Sequence, residues 1–188
     1  MFYENELRLF RNTFTKCHIR TFVVSTNEKI DNRLDLGLHK LLNINPPKLS
    51  YSELFPEINK ADIVKIIDSF KRNYIIITLP EVKKSSALII GPFLNKEFNS
   101  NDILELSEQI KASPKLSKEI ENYYGSLPII LISSHLYGLI DAFAEHIFGV
   151  SDFKMLDVTK EYDWALPTIG TAESITPEQT TWNMEIMQ

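Results

Sequence analysis

The spacing of apolar residues changes several times along the chain, and each change marks an element. Phe2, Leu9, Phe10 and Phe14 recur at intervals of three and four, with Glu6 as the polar member of the set. This predicts an amphipathic helix over residues 2–16. His18 to Ser25 is rich in β-branched and aromatic residues and predicts a strand. Helical spacing returns from Asp31 to Leu42 through Leu34, Leu38, Leu41 and Leu42. Asn43 can stop that helix, and Pro46-Pro47 forbids its continuation. Residues 50–59 read as irregular or as one helical turn. Three short strands follow at Asp62–Ile67, Tyr74–Leu79 and Ala87–Pro92. Their connections are too short for parallel crossovers, so the middle of the chain is expected to be an antiparallel meander.

Three helices come next. Asn101 to Lys111 turns Ile103, Leu106 and Ile110 to one face, with Asp102 and Glu105 favoured in its first turn by the helix dipole. Ser113-Pro114 announces a second helix that uses Leu116, Ile120 and Tyr123 or Tyr124, with Gly125 as its expected terminator. The third helix starts between Pro128 and Ser133 and ends at Phe148, before Gly149. It carries Leu136, Leu139, Ile140, Phe143 and Ile147 as an apolar stripe. A further strand is expected at Phe153–Val158. Glu161 to Ser174 has loop composition, and Thr176-Pro177-Glu178-Gln179 matches a capping box that opens a short final helix. A helix that short is marginal on its own. Two readings follow: a docked or frayed C-terminus, or a helix that continues as a connector in a longer protein.

Composition narrows the function classes. The chain has 188 residues, 44% hydrophobic and 24% charged, enough for one domain with a full core. The net charge of -5 does not favour nucleic acid by bulk electrostatics. The single cysteine, Cys17, excludes an internal disulfide and a cysteine-based zinc site. No signal peptide is visible and the apolar runs are short, so a cytoplasmic location without a membrane span is expected.

The candidate chemistry is thin. The histidines, His18, His39, His135 and His146, form no HExxH pattern. His135 and His146 would stand about 16 Å apart along one helix, too far to share a metal. Cys17 beside His18 would point to the opposite face of a strand. Ser133-Ser134-His135 reads as a helix cap. The six glycines match neither GxGxxG nor GxxxxGK[ST]. Carboxylates such as Glu119, Glu121, Asp141, Glu145, Asp152 and Asp157 are expected on solvated faces or loops. No catalytic set, metal site or cofactor is expected. Aromatic residues offer the better lead, because small-molecule pockets are mostly apolar with a few polar handles. Phe70, Tyr74, Tyr123, Tyr137 and Phe143 are the pocket candidates between sheet and helices, against the plainer reading that they pack the core.

Gly91-Pro92 is expected to end its strand or lie at an edge, because proline lacks the ladder N–H. The same dipeptide sits in a larger pattern. Tyr74-Ile-Ile-Ile-Thr-Leu-Pro80 precedes Ala87-Leu-Ile-Ile-Gly-Pro-Phe-Leu94, then an acidic helix pair, then Tyr123-Tyr-Gly-Ser-Leu-Pro128 and Ala144-Glu-His-Ile-Phe-Gly149. This ordered set, over residues 60–150, resembles the N-terminal sensing regions of AraC-type transcriptional regulators from Gram-positive bacteria. The resemblance implies an α/β (α+β) fold of GAF or PAS type, an antiparallel sheet flanked by helices, within a sensor domain at 1–160. It implies that 161–188 is a linker and the start of a connector helix towards a helix-turn-helix domain absent from this chain. DNA would be bound only by that missing domain. A small molecule or a protein signal bound between sheet and helices, and a homodimer formed through the N-terminal or C-terminal helix, are the partners expected of such a regulator. The alternatives are a protein-interaction module without a ligand, and a small enzyme with an unfamiliar site.

Overall fold

The computed structural model describes residues 3–30, 33–43, 48–80, 85–131, 134–149 and 153–162. Helix α1 (Glu4–Lys16) leads to strand β1 (Thr21–Ser25). Two short helices, α2 (Leu38–Leu41) and α3 (Tyr51–Leu54), and a 3-10 turn at Pro56–Asn59 follow. The strands β2 (Ile63–Asp68), β3 (Asn73–Leu79) and β4 (Ser86–Phe93) come next. Helices α4 (Ser100–Gln109), α5 (Pro114–Ser126) and α6 (Ser134–Phe148) precede β5 (Met155–Tyr162).

The five strands form one sheet in the order β1-β4-β3-β2-β5. The pairs β2–β3, β3–β4 and β1–β4 are antiparallel, as short loops require of the meander. Strand β5 is the exception. It lies parallel to β2, reached by a crossover that contains α4, α5 and α6. The fold is therefore α+β, with a mostly antiparallel sheet flanked by helices.

Alternation along the strands separates two cores. Val64, Ile66, Tyr74, Ile76, Ala87 and Ile89 face one side, packed against α2, α3 and α5. Ile63, Ile75, Ile77, Leu88 and Ile90 face the other, under α1 and α6. Every residue of β4 is buried, which suits a strand with neighbours on both edges and helices on both faces. Burying each of these large side chains contributes about 1.5–3 kcal/mol.

Local chemistry shifts several predicted boundaries. The helix expected over Asp31–Leu42 shrinks to α2. Leu36 and Gly37 take left-handed backbone angles, and the Asp35 carboxylate caps the N–H groups of Gly37 (2.8 Å) and His39 (2.7 Å). A helix can start only after those bonds. On α1 the buried stripe is Leu7, Phe10 and Phe14, while Leu9 is 70% exposed. Helix α5 runs through Gly125 and stops where Leu127 turns extended ahead of Pro128. Cys17 and His18 lie in the turn after α1, not in a strand, and Cys17 is exposed.

Pro92 lies within β4, which is central rather than an edge. Pairing with β1 ends at Ile90, and the register with β3 shifts between Asn73 and Ile75. The proline therefore meets no position that demands a ladder N–H. Phe2, Ser133 and Asp152, the residues from Asp163 onward and the final helix expected from Thr176 lie outside the described residues.

Candidate functional site

The first core hides a polar network that the apolar spacing did not announce. Arg72 and Asp68, at the two ends of the β2–β3 turn, have no exposed side-chain surface. Arg72 Nε donates to Asp68 Oδ2 at 2.8 Å, and Arg72 Nη1 donates to the Tyr123 hydroxyl at 2.9 Å. The Tyr123 hydroxyl in turn donates to the Asp35 carbonyl at 2.6 Å. The Tyr74 hydroxyl donates to the Leu34 carbonyl, and the Tyr124 hydroxyl to the Phe70 carbonyl. Beside them His39 Nδ1 donates to the buried Asp35 carboxylate. These bonds tie the 34–39 turn, the β2–β3 turn and α5 into one unit.

Burial governs the acid–base behaviour of this cluster. It pushes the hydroxyls of Tyr74, Tyr123 and Tyr124 above the ordinary tyrosine range, and the nearby Arg72 charge only partly offsets it. Burial also opposes the Arg72 charge, but Asp68 together with Tyr74 and Tyr123 outweighs it and holds the guanidinium above its ordinary range.

Three of the five aromatic pocket candidates meet here. The Arg72 guanidinium carbon lies 5.5 Å from the Phe70 ring centre and 5.8 Å from that of Tyr74, and Tyr123 is hydrogen-bonded to it. Phe70, Arg72 and Tyr74 are buried and Tyr123 is half-buried, with the Tyr74 and Tyr123 hydroxyls committed to the Leu34 and Asp35 carbonyls. Phe143 belongs to the opposite core, stacked on Phe10 at a ring-centre distance of 4.0 Å. Tyr137 is elsewhere again, on α6 at the sheet margin. The structure thus distributes the five residues among three places.

Tyr137 marks the one of these places that opens to solvent. A cleft of about 60 Å³ lies between α6 and the end of the sheet formed by β2, β3 and β5, bordered by Lys65, Asn73, Phe93, Tyr137 and Asp157. Tyr74 also borders it, with its hydroxyl committed to Leu34. The volume suits a few waters or a small polar molecule. Lys65 Nζ donates to the Tyr137 hydroxyl at 3.0 Å and pairs with Asp157 Oδ1 at 2.6 Å. Its ammonium also lies 4.1 Å from the Tyr137 ring centre. Partial burial opposes the Lys65 charge, but the bonds to Asp157 and Tyr137 outweigh it and hold Lys65 above the ordinary lysine range. Lys65 is only 15% exposed, whereas Asp157 is 63% exposed on the edge strand β5. An incoming ligand can therefore compete with Asp157 for the ammonium.

Lys65, Asp35, Asp68 and Arg72 were not singled out by the sequence pattern. Lys65 occupies a half-buried position of β2 and interrupts the otherwise apolar run Ile63–Ile67. That break in pattern is the signal by which it could have been found. Asp68 and Arg72 flank a tight turn with a spacing of four, a weaker sign. Among the described residues no cluster of three or more His, Cys, Asp or Glu side chains is placed to hold a metal ion. No helix of the described residues is long and apolar enough to cross a membrane. No family model, no curated protein and no solved structure matches this chain.

Proposed function

We propose that this chain is the signal-sensing part of a cytoplasmic bacterial transcription regulator of the AraC type, and that it takes a small polar effector in the cleft beneath α6. The observation that carries this reading is Lys65, a half-buried cation held by Tyr137 from α6 and Asp157 from β5. An effector that engages Lys65 loosens its bond to β5. The chain leaving β5 is the segment that the resemblance implies is a connector. A change at Lys65 is thereby coupled to the output through one strand. The effector shifts the balance of two arrangements only by its difference in affinity between them. DNA contact belongs to the helix-turn-helix domain implied by the resemblance, acting in a homodimer that reads paired half-sites.

A second reading, an interaction module without a small ligand, draws support from Leu9 and Leu131, which are 70% and 71% exposed. A thermal-shift screen with small polar metabolites separates the two. A ligand at 100 times its dissociation constant stabilises the folded form by about 2.7 kcal/mol, which raises the melting temperature measurably. The sensor reading requires a metabolite that does this and that loses its effect in Lys65→Met. A panel without effect, or a shift that survives Lys65→Met, overturns the assignment of the cleft.

A further inference from the structure

The cleft beneath α6 is small, and its charges are unequal in depth. Its volume of about 60 Å³ holds a few waters, the space of about four or five heavy atoms. Nucleotides, sugars and aromatic acids are larger than that. Lys65 and Asp157 are the charged residues that border it. The Asn73 amide, also on its border, donates to the Phe93 carbonyl at 3.3 Å.

An ammonium has three N–H donors. Lys65 gives one to the Tyr137 hydroxyl at 3.0 Å and one to Asp157 Oδ1 at 2.6 Å, and among the described residues nothing accepts the third. The Tyr137 hydroxyl accepts from Lys65, and among the described residues nothing accepts its own proton. Two neighbouring groups can therefore donate to one ligand, and a carboxylate presents two acceptor oxygens side by side. The half-buried Ile67 and the Tyr137 ring border the same space and suit a short carbon chain.

The two members of the ion pair differ in what their separation costs. Lys65 is 15% exposed, and a cation at that depth needs a counter-charge. Asp157 is 63% exposed, so water solvates its carboxylate once it leaves. A neutral molecule in place of Asp157 would leave Lys65 unpaired, whereas an anion replaces one pair with another. Asp157 is itself a carboxylate, so the ammonium already holds a group of that shape. A phosphate monoester carries about −1.5 to −2 charge at neutral pH, which one lysine does not balance.

Building on the sensor reading of this cleft, we propose that its effector is a short-chain carboxylate of about two or three carbons, which displaces Asp157 from Lys65 and takes a second hydrogen bond from Tyr137.

The test is isothermal titration of the chain at neutral pH and fixed ionic strength. Acetate and propionate are compared with acetamide, benzoate and inorganic phosphate. Acetate or propionate should bind. Acetamide has the size of acetate without its charge, benzoate exceeds the cleft, and neither should bind. Lys65→Met should weaken the carboxylate at least about tenfold, the loss expected when a charge-assisted hydrogen bond is removed. Asp157→Asn keeps the side-chain size and removes the competing charge, so it should bind the carboxylate about twofold to fivefold tighter than the parent. Asp157 is exposed, so this variant tests the displacement even where Lys65→Met fails to fold. The proposal is overturned if neither carboxylate binds at millimolar concentration, if acetamide or benzoate binds equally well, if phosphate binds more tightly, or if Asp157→Asn leaves the affinity unchanged or weaker. Binding of acetamide that is lost in Lys65→Met, with no binding of either carboxylate, overturns the carboxylate class and leaves the cleft as the sensing site. Absence of Lys65-dependent binding by any small polar molecule overturns both.

Discussion

The Asp68 carboxylate accepts hydrogen bonds around one turn from Arg72 Nε at 2.8 Å, from the Arg72 N–H at 2.9 Å and from the Phe70 N–H at 3.1 Å. The carboxylate neutralises the guanidinium and also closes the β2–β3 turn. Arg72→Met removes the charge while filling much of the space, and leaves a buried carboxylate without its counter-charge. Breaking a buried pair in this way costs about 3–5 kcal/mol. Urea unfolding should show that loss. Arg72→Lys should fall between, because a point charge cannot serve Asp68 and Tyr123 together. A loss below about 1 kcal/mol for Arg72→Met would place the pair in the class of exposed ion pairs.

Much of the sheet was legible because it rests on short-range pattern. The apolar runs at Tyr74–Leu79 and Ala87–Pro92 bury both faces, and the brief loops between β2, β3 and β4 leave no room for parallel crossovers. The parallel placement of β5 was not legible, because a long crossover leaves its partner open and no local residue selects β2. The helix expected at Asp31–Leu42 shows apolar spacing serving a turn: Leu34 and Leu38 are fully buried although the backbone between them is not helical. The candidate sites were less legible still. Tyr137 could be named from its type, but its partner Lys65 lies 72 residues away and meets it only across the packed sheet.

Gly91→Ala tests the close approach at the end of β4. Gly91 has φ of 130°, and a Cβ there would stand 2.7 Å from the Asn73 carbonyl oxygen and 3.1 Å from the Tyr74 ring. The carbonyl belongs to the backbone of β3 and cannot swing away. An L-residue held in such a conformation costs on the order of 1–3 kcal/mol before the collision is counted. The variant should unfold at lower urea than the parent. An unchanged midpoint would mean that β3 and β4 separate there without cost.

Phe143→Ala distinguishes packing from ligand contact at one of the aromatic candidates. Phe143 stacks on Phe10 and lies in the core between α1, α6 and the sheet. Truncating a buried phenylalanine costs about 3–5 kcal/mol. A metabolite that engages Lys65 should still raise the melting temperature of this destabilised variant, because Phe143 does not border the cleft. Loss of the ligand effect with stability intact would reverse that assignment and make Phe143 a contact residue.

The buried tyrosines predict a fall in stability at alkaline pH. Tyr74, Tyr123 and Tyr124 have hydroxyl pKa values raised in the fold, first by burial, and Lys65 is also raised. For each group the folded chain holds its proton more tightly than the unfolded chain does. Their contribution to stability is complete below the unfolded values, about pH 10, and is lost as pH rises through the folded ones. Circular dichroism followed upward from neutral pH should show unfolding that begins near pH 10 in the parent. Tyr124→Phe removes one of these groups together with its bond to the Phe70 carbonyl. It should be less stable at neutral pH, yet lose less further stability as the solution becomes alkaline. If parent and variant lose the same increment over that range, the Tyr124 hydroxyl ionises in the fold as freely as it does in water, and the buried network is open to solvent.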